Sequence, residues 1–204
     1  TITDDGMVGS TLYEITASTN PTGLGVVNGS ENFSQQYGEG ETVKLTATGN
    51  KGYALKDWTE DGTVISTENP LTFTAEAART LVANFGEAEP MILTFNTTVT
   101  LPLHGTVDVT VEWGDGTTPE SISTAGNLDH TYAAEGEYTV TISGTLTQFG
   151  SSWNANAEKL TSCTNFGDLG LTSLSSAFYN AENLTQVPEQ IPPFVTSMRY
   201  IFRS

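Results

Sequence analysis

The residues best equipped for chemistry lie within residues 111–142, VEWGDGTTPESISTAGNLDHTYAAEGEYTVTI. An acid sits between two glycines (Gly114, Asp115, Gly116), His130 follows Asp129, and Trp113, Tyr132 and Tyr138 are interleaved with them. Such groups serve three chemistries. An Asp–His pair can activate a serine, but the chain has no G-x-S-x-G elbow and no strand-to-helix setting for one. An acidic turn can ligate Ca²⁺, which takes about six to eight oxygens, yet GDGTTPES adds only Glu120 to Asp115. The third use is architectural: the Asp accepts N–H groups of its own turn, the glycines supply positive φ, and the tyrosine ring packs while its hydroxyl seeks a backbone partner. That reading is adopted. Trp113, Gly114, Asp115, Gly116, His130, Tyr132 and Tyr138 form a structural motif, and no catalytic residue, metal ligand or cofactor is expected.

Other reactive types fare no better. His104 falls in PLHGT, read as a turn, and two histidines without an acidic spacing motif do not make a zinc site. The single cysteine, Cys163, excludes an internal disulfide and sits on an apolar line, as core residues do. Carboxylates abound, but glycoside hydrolysis needs two held about 5–9 Å apart on a cleft wall. Trp58 and Trp113 each end or interrupt an inward-facing alternation and are assigned to cores. Trp153, among small polar residues in GSSWNANAE, is the aromatic expected at a surface.

Composition narrows the partners. A formal charge of −17 over 204 residues opposes nucleic acid and anionic lipid, both of which demand a basic patch. Only 15% of residues are charged and 9% aromatic, with Thr, Ser and Gly frequent, a profile of short strands and polar turns. The chain starts at Thr1 without a basic-then-apolar leader, and no apolar run approaches the ~20 residues of a membrane helix. Any leader or anchor is expected in a parent protein, and the apolar ending MRYIFRS reads as cut.

The elements that must position these residues show three grammars. Residues 13–85 alternate with period two: Tyr13, Ile15 and Ala17; Val43, Leu45 and Ala47; Leu81, Ala83 and Phe85. Turn clusters such as NPTGLG, YGEGE and GNKGY separate them. The order of Tyr37-Gly38, Glu41, Leu45-Thr46-Ala47, Gly52-Tyr53, Trp58 and Ala83-Asn84-Phe85 resembles the divergent internalin-B-type repeat. That resemblance implies a small β-rich spacer or adhesive module of extracellular bacterial proteins, either a β-grasp with a short helix or wholly strands.

GEAEP is a polar joint at residues 86–90. Beyond it, MILTFNTTVTL, TVDVTVEW and EYTVTI alternate again. WGDGT followed by HTYAAEGEYTVTISG resembles the PKD domain, which implies an immunoglobulin-like β-sandwich. Then LTSLSSAF at residues 171–178 recurs 24 positions on as VTSMRYIF, with LTSC at 160 and the pair LTQF and LTQV at 146 and 184 as shorter echoes. A period of about 20–29 residues with recurrent Leu is solenoid grammar, and KLTSCTNFGDLGLTSLSSAFYNAENLTQVP resembles the BspA-like leucine-rich repeat. Leu160, Leu171, Leu174, Phe178, Leu184, Val187, Val195, Met198 and Phe202 are expected to stack inward, with the last unit leaving apolar surface bare.

The expected fold is therefore mainly β: a linker at 1–11, a β-rich repeat domain at 12–87, a PKD-like sandwich at 88–147, and the start of a leucine-rich-repeat solenoid at 148–204. The expected function is non-enzymatic and adhesin-like, on the bacterial cell surface, facing a host or matrix protein or glycan. Tyr179 and Asn180 in FYNAEN, together with Trp153, are the binding candidates. An accessory spacer or carbohydrate-binding region of a secreted polysaccharide-degrading enzyme is the alternative.

Overall fold

The computed structural model describes residues 11–151 and 155–203 and divides into two compact units, Thr1–Gly86 and Glu87–Ser204. The expected linker lies, but for Thr11, outside the described residues, and so does Trp153. Among the described residues no helix is long and apolar enough to cross a membrane.

In the first unit every turn cluster read from the sequence separates two strands. These are β1 (Leu12–Asn20), β2 (Gly25–Val27), β3 (Asn32–Gly38), β4 (Thr42–Leu45), β5 (Ala47–Gly49), β6 (Tyr53–Glu60), β7 (Thr63–Ser66), β8 (Leu71–Thr74) and β9 (Arg79–Glu87). Five of them form a sheet in the order β3-β1-β9-β6-β7, while β2 with β5 and β4 with β8 make two short ribbons. β1 runs parallel to β9, with Ala17 opposite Leu81, and antiparallel to β3. The period-two sets meet in one core: Ile15, Ala17, Val43, Leu45, Ala47, Leu81, Ala83 and Phe85 are buried around a fully buried Trp58. The indole N–H of Trp58 would be costly to bury unpaired, and it donates to the Glu68 carbonyl at 3.0 Å. Of the two architectures left open, this unit is the all-strand one among its described residues.

The second unit contains β10 (Met91–Asn96), β11 (Val99–Glu112), β12 (Glu120–Ile122), β13 (Gly126–His130), β14 (Glu137–Phe149), a 3-10 turn at Ala157–Lys159 and β15 (Leu160–Asn165). The sheet order is β12-β11-β14-β10-β15, with β13 pairing the first half of β11. The expected turn at PLHGT does not exist. β11 runs through it, placing His104 opposite Gln148, and a bulge between His104 and Val107 absorbs the irregularity. Pairing with β13 on one edge and β14 on the other holds this stretch extended despite Pro102.

Beyond β14 the chain coils. Parallel bridges join Gln148 to Ser173, Ser173 to Ser197 and Ser162 to Gln186, each pair 24 or 25 residues apart. Threonines carry the ladder. Thr172 donates its backbone N–H to the Thr147 carbonyl at 2.8 Å and its hydroxyl to the same oxygen at 3.0 Å. Thr196 stands in the same relation to Thr172 at 2.9 and 3.4 Å, and Thr185 to Thr161 at 2.9 and 3.1 Å. The residue before each threonine turns inward: Leu146, Leu160 and Leu171 are buried, Leu184 and Val195 partly so. Val187, Met198 and Phe202, expected inside, are instead exposed, because no described rung covers them. One apolar cluster joins Leu93, Val109, Trp113 and Ile142 of the sheet to Leu171, Leu174 and Phe178 of the coil. β14 itself is continuous across residues 147 and 148, so sheet and coil share a strand.

The end of that strand is sterically tight. At Gly150 (φ +125) an added Cβ would lie 2.4 Å from the Ser175 carbonyl oxygen and 2.6 Å from the Ala177 nitrogen. Gly150→Ala is therefore expected to lower unfolding stability by about 2–5 kcal/mol, from backbone strain plus overpacking, read as a reduced urea midpoint. An unchanged midpoint would contradict this packing.

Candidate functional site

β11 ends by delivering Trp113 to the core and then turning at Gly114, Asp115 and Gly116. Both glycines adopt positive φ, near +80°. At Gly114 the requirement is also steric, since a Cβ there would meet the Thr139 carbonyl oxygen at 2.4 Å. The turn points Asp115 back toward β13, whose last residue is His130. The Asp115 Oδ2 and His130 Nε2 atoms lie 2.9 Å apart, and both side chains are largely shielded from solvent. An ionised carboxylate only accepts, so Nε2 is the protonated nitrogen in this contact. The Asp115 Oδ1 atom accepts from both the hydroxyl and the backbone N–H of Thr117.

Four rings continue the arrangement. The His130 imidazole stacks on the Trp113 indole with centroids 4.4 Å apart and planes 7° from parallel, and it meets Tyr132 edge-on at 4.7 Å. Tyr132 stacks on Tyr138 at 3.6 Å. Each polar tip has a partner: the Tyr132 hydroxyl donates to the Trp113 carbonyl at 2.8 Å, the Tyr138 hydroxyl to the Ala134 carbonyl at 3.0 Å, and the Trp113 indole N–H to Glu120 at 3.0 Å. Asp129, the sequence neighbour of His130, accepts instead from the Thr100 hydroxyl.

These contacts decide what the group can do. In a nucleophilic triad the histidine stands between hydroxyl and carboxylate, so that it can take the hydroxyl proton. Here the carboxylate stands between Thr117 and His130, and the hydroxyl proton points at an acid that is already a strong acceptor. Hydrogen bonds from the Thr117 hydroxyl and N–H, and then from His130, hold the Asp115 carboxyl down at about 2, from an ordinary 3.8. A carboxyl so acidic is a poor proton acceptor near neutrality. Burial, with Asp115 and Tyr138 nearby, pushes the Tyr132 phenol well above its ordinary value. Glu120, the one acid that might have joined a cation loop, is held by the indole. No group of three or more His, Cys, Asp or Glu side chains among the described residues is placed to hold a metal ion. His104 lies on β11 with Nε2 buried and unpartnered. Cys163 is fully buried, which raises its thiol to about 12 and keeps it a core group.

The other candidates sit on the coil. Tyr179 is half-buried, and Asn180 is exposed in a left-handed conformation (φ 59°), its N–H donating to the Arg203 carbonyl at 2.8 Å. Asn180 also lines a groove of about 270 Å³ together with Phe178, Leu184, Val187, Phe202 and Arg203. Sequence reasoning missed Thr117, whose position two residues after an Asp between glycines is the signal of an Asx-type turn. It also missed the ladder threonines, each of which follows a Leu or Val of the repeat.

Two consequences are measurable. Trp113→Ala should cost about 3–5 kcal/mol in urea unfolding, as for other buried aromatics; a loss below about 1 kcal/mol would place the indole outside the core. A carboxyl whose folded value is depressed adds stability above its unfolded value and loses it as the pH falls through the folded one. Asp115 should therefore contribute an acid destabilisation between about pH 4 and pH 2. Asp115→Asn should flatten that limb in thermal melts followed by circular dichroism; an identical limb would show that the turn bonds are not formed.

Comparison with known proteins places one part of the chain. No curated protein and no solved structure matches it. Residues 15–89, which span most of the first unit, match the family model described as the divergent InlB B-repeat domain, and that is the family to which this part of the chain is similar.

Proposed function

We propose that the chain is a non-enzymatic part of an exported bacterial surface protein, adhesin-like, in which small β modules project a repeat surface toward a host or matrix protein or a glycan. The observation that carries this reading is the match of residues 15–89 to a repeat-domain family, in the same chain as a second, 24-residue repeat built on a hydrogen-bond ladder. Internalin-B-type repeats belong to bacterial surface proteins, and modules of this kind act by spacing and presenting. Residues 88–147 are read as a PKD-like module, supported by the turn of Asp115 with the Tyr132 hydroxyl returned to the Trp113 carbonyl. Residues 148–204 are read as BspA-like leucine-rich repeats, supported by the ladder threonines and the buried line through Leu160, Leu171 and Leu174. The internal engagement of Asp115, His130 and Tyr132 supports a scaffolding role for the polar motif. Asn180, exposed beside the groove, is the contact residue of the proposed surface.

The test is a screen of the intact chain on glycan and matrix-protein arrays, with Asn180→Gly as control. Glycine keeps the left-handed backbone at that position while removing the side chain. Saturable binding of one class of partner, weakened about tenfold or more by the substitution (~1.4 kcal/mol), is expected. Turnover of a polysaccharide, ester or peptide by the chain, or binding to nothing on either array, would overturn the reading.

A further inference from the structure

The coil ends on an unfinished ladder. In each pair of rungs the outer rung donates inward through its threonine N–H, and the inner rung donates outward through alternate amides. Leu174 N–H reaches the Ser197 carbonyl at 2.9 Å, Ser176 reaches Arg199 at 2.9 Å and Phe178 reaches Ile201 at 3.0 Å, while Cys163 N–H reaches Gln186 at 2.9 Å. Carried one rung outward, the same rule leaves the N–H groups of Val187, Met198, Tyr200 and Phe202 as donors and the carbonyls of Thr185 and Thr196 as acceptors. None of these six groups makes a hydrogen bond among the described residues.

The side chains above them are apolar. Val187, Ile191, Met198, Tyr200 and Phe202 are all exposed, and Phe202, at 60%, is the outermost ring of the line Phe166, Phe178, Phe202. The groove of about 270 Å³ lies along the same edge. An exposed apolar patch bordered by a regular row of unpaired backbone groups is a strand-accepting edge.

We infer that this edge binds an extended polypeptide segment with the rung pattern, a Leu or Val followed by Thr at two places 11 residues apart, which lays its threonine N–H groups on the Thr185 and Thr196 carbonyls. The occupant's chemistry follows from continuity: each rung already covered is covered by a segment of that pattern, at residues 160–172 and 184–196. A folded second copy does not supply it. Stacking requires translation along the coil, and the opposite end of the coil is closed, because β15 pairs with β10 and the Thr161 hydroxyl donates to the Thr94 carbonyl. The inference names a partner class for the presentation surface proposed above and rests on that reading only for its biological use.

The experiment titrates a fluorescein-labelled peptide with the sequence of residues 184–202, LTQVPEQIPPFVTSMRYIF, with the intact chain and follows anisotropy. A scrambled peptide, and the Phe202→Glu and Met198→Glu chains, serve as comparisons. Both substituted side chains are largely exposed, so folding should survive, which circular dichroism checks. Saturable binding, at least tenfold weaker for the scrambled peptide and for both variants, is expected. No saturation at millimolar chain, equal binding of the scrambled peptide, or indifference to both substitutions would overturn the inference. So would sedimentation showing that the edge is occupied by self-association and excludes the peptide. A positive glycan or matrix screen with a negative peptide titration removes this inference and leaves the presentation reading standing.

Discussion

A β-strand leaves half of its backbone groups unpaired until a neighbour is found, and among the described residues this protein has no α-helix to pair its backbone internally. Where each edge finds its partner therefore governs everything else. In the first unit the parallel pairing of β1 with β9 closes the centre of the sheet and brings Ala17 level with Leu81, which assembles the core around Trp58. In the second unit the partner changes along the chain. β14 pairs with β10 and β11 by antiparallel ladders, and then, over its last residues, with the coil by a parallel one. That change of partner along a single strand makes sheet and coil one core rather than two cores in contact.

The same constraint explains why the polar motif is inert. β11 is the long strand on which β12, β13 and β14 depend, and it must end with Trp113 inside and the chain reversing outside. Reversal needs positive φ at two positions and an acceptor for the turn's N–H groups, which Gly114, Asp115 and Gly116 provide. The carboxylate then needs a counter-donor on the buried side, and His130 provides it while its ring covers the indole. Each group is thereby held by its neighbours. Catalysis would require at least one of them to be free to exchange a proton with a third party.

How much of this could be read from residues alone depends on whether the signal was local. Period-two alternation is local, so the cores came out correctly: Ile15 with Ala17, Val43 with Leu45, Val109 with Val111, and Val140 with Ile142 are all buried. The Asp–Gly turn and the tyrosine hydroxyl to backbone bond are also local chemistry. The turn read at PLHGT failed because a proline and a glycine speak for a break, whereas two flanking strands spoke more strongly for continuation. The stacking of Asp115 and Trp113 with His130 joins residues about fifteen positions apart through a strand pairing that no pattern in the intervening segment encodes. The repeat was visible as recurrent Leu. The function of the threonine beside each Leu was not, since its hydroxyl doubles a bond to a carbonyl 24 or 25 residues away.

That threonine also bears on why a coil of so few rungs is stable. A repeat contacts only its neighbours, so a short array is ordinarily marginal unless one end is capped. Here the cap is covalent and deep. The first half-rung is the end of β14, the second is β15, and each is fastened to the sheet before any repeat-to-repeat contact is made. Order then propagates outward, each threonine adding a second hydrogen bond to the carbonyl beneath it, and burial falls along the same direction from Leu160 and Leu171 to the partly covered Leu184 and Val195. The gradient runs from a rigid sheet to an adaptable edge, as a surface meant to meet a partner requires: the anchor fixes the register, and the last rung retains the unpaired groups with which another chain can continue it.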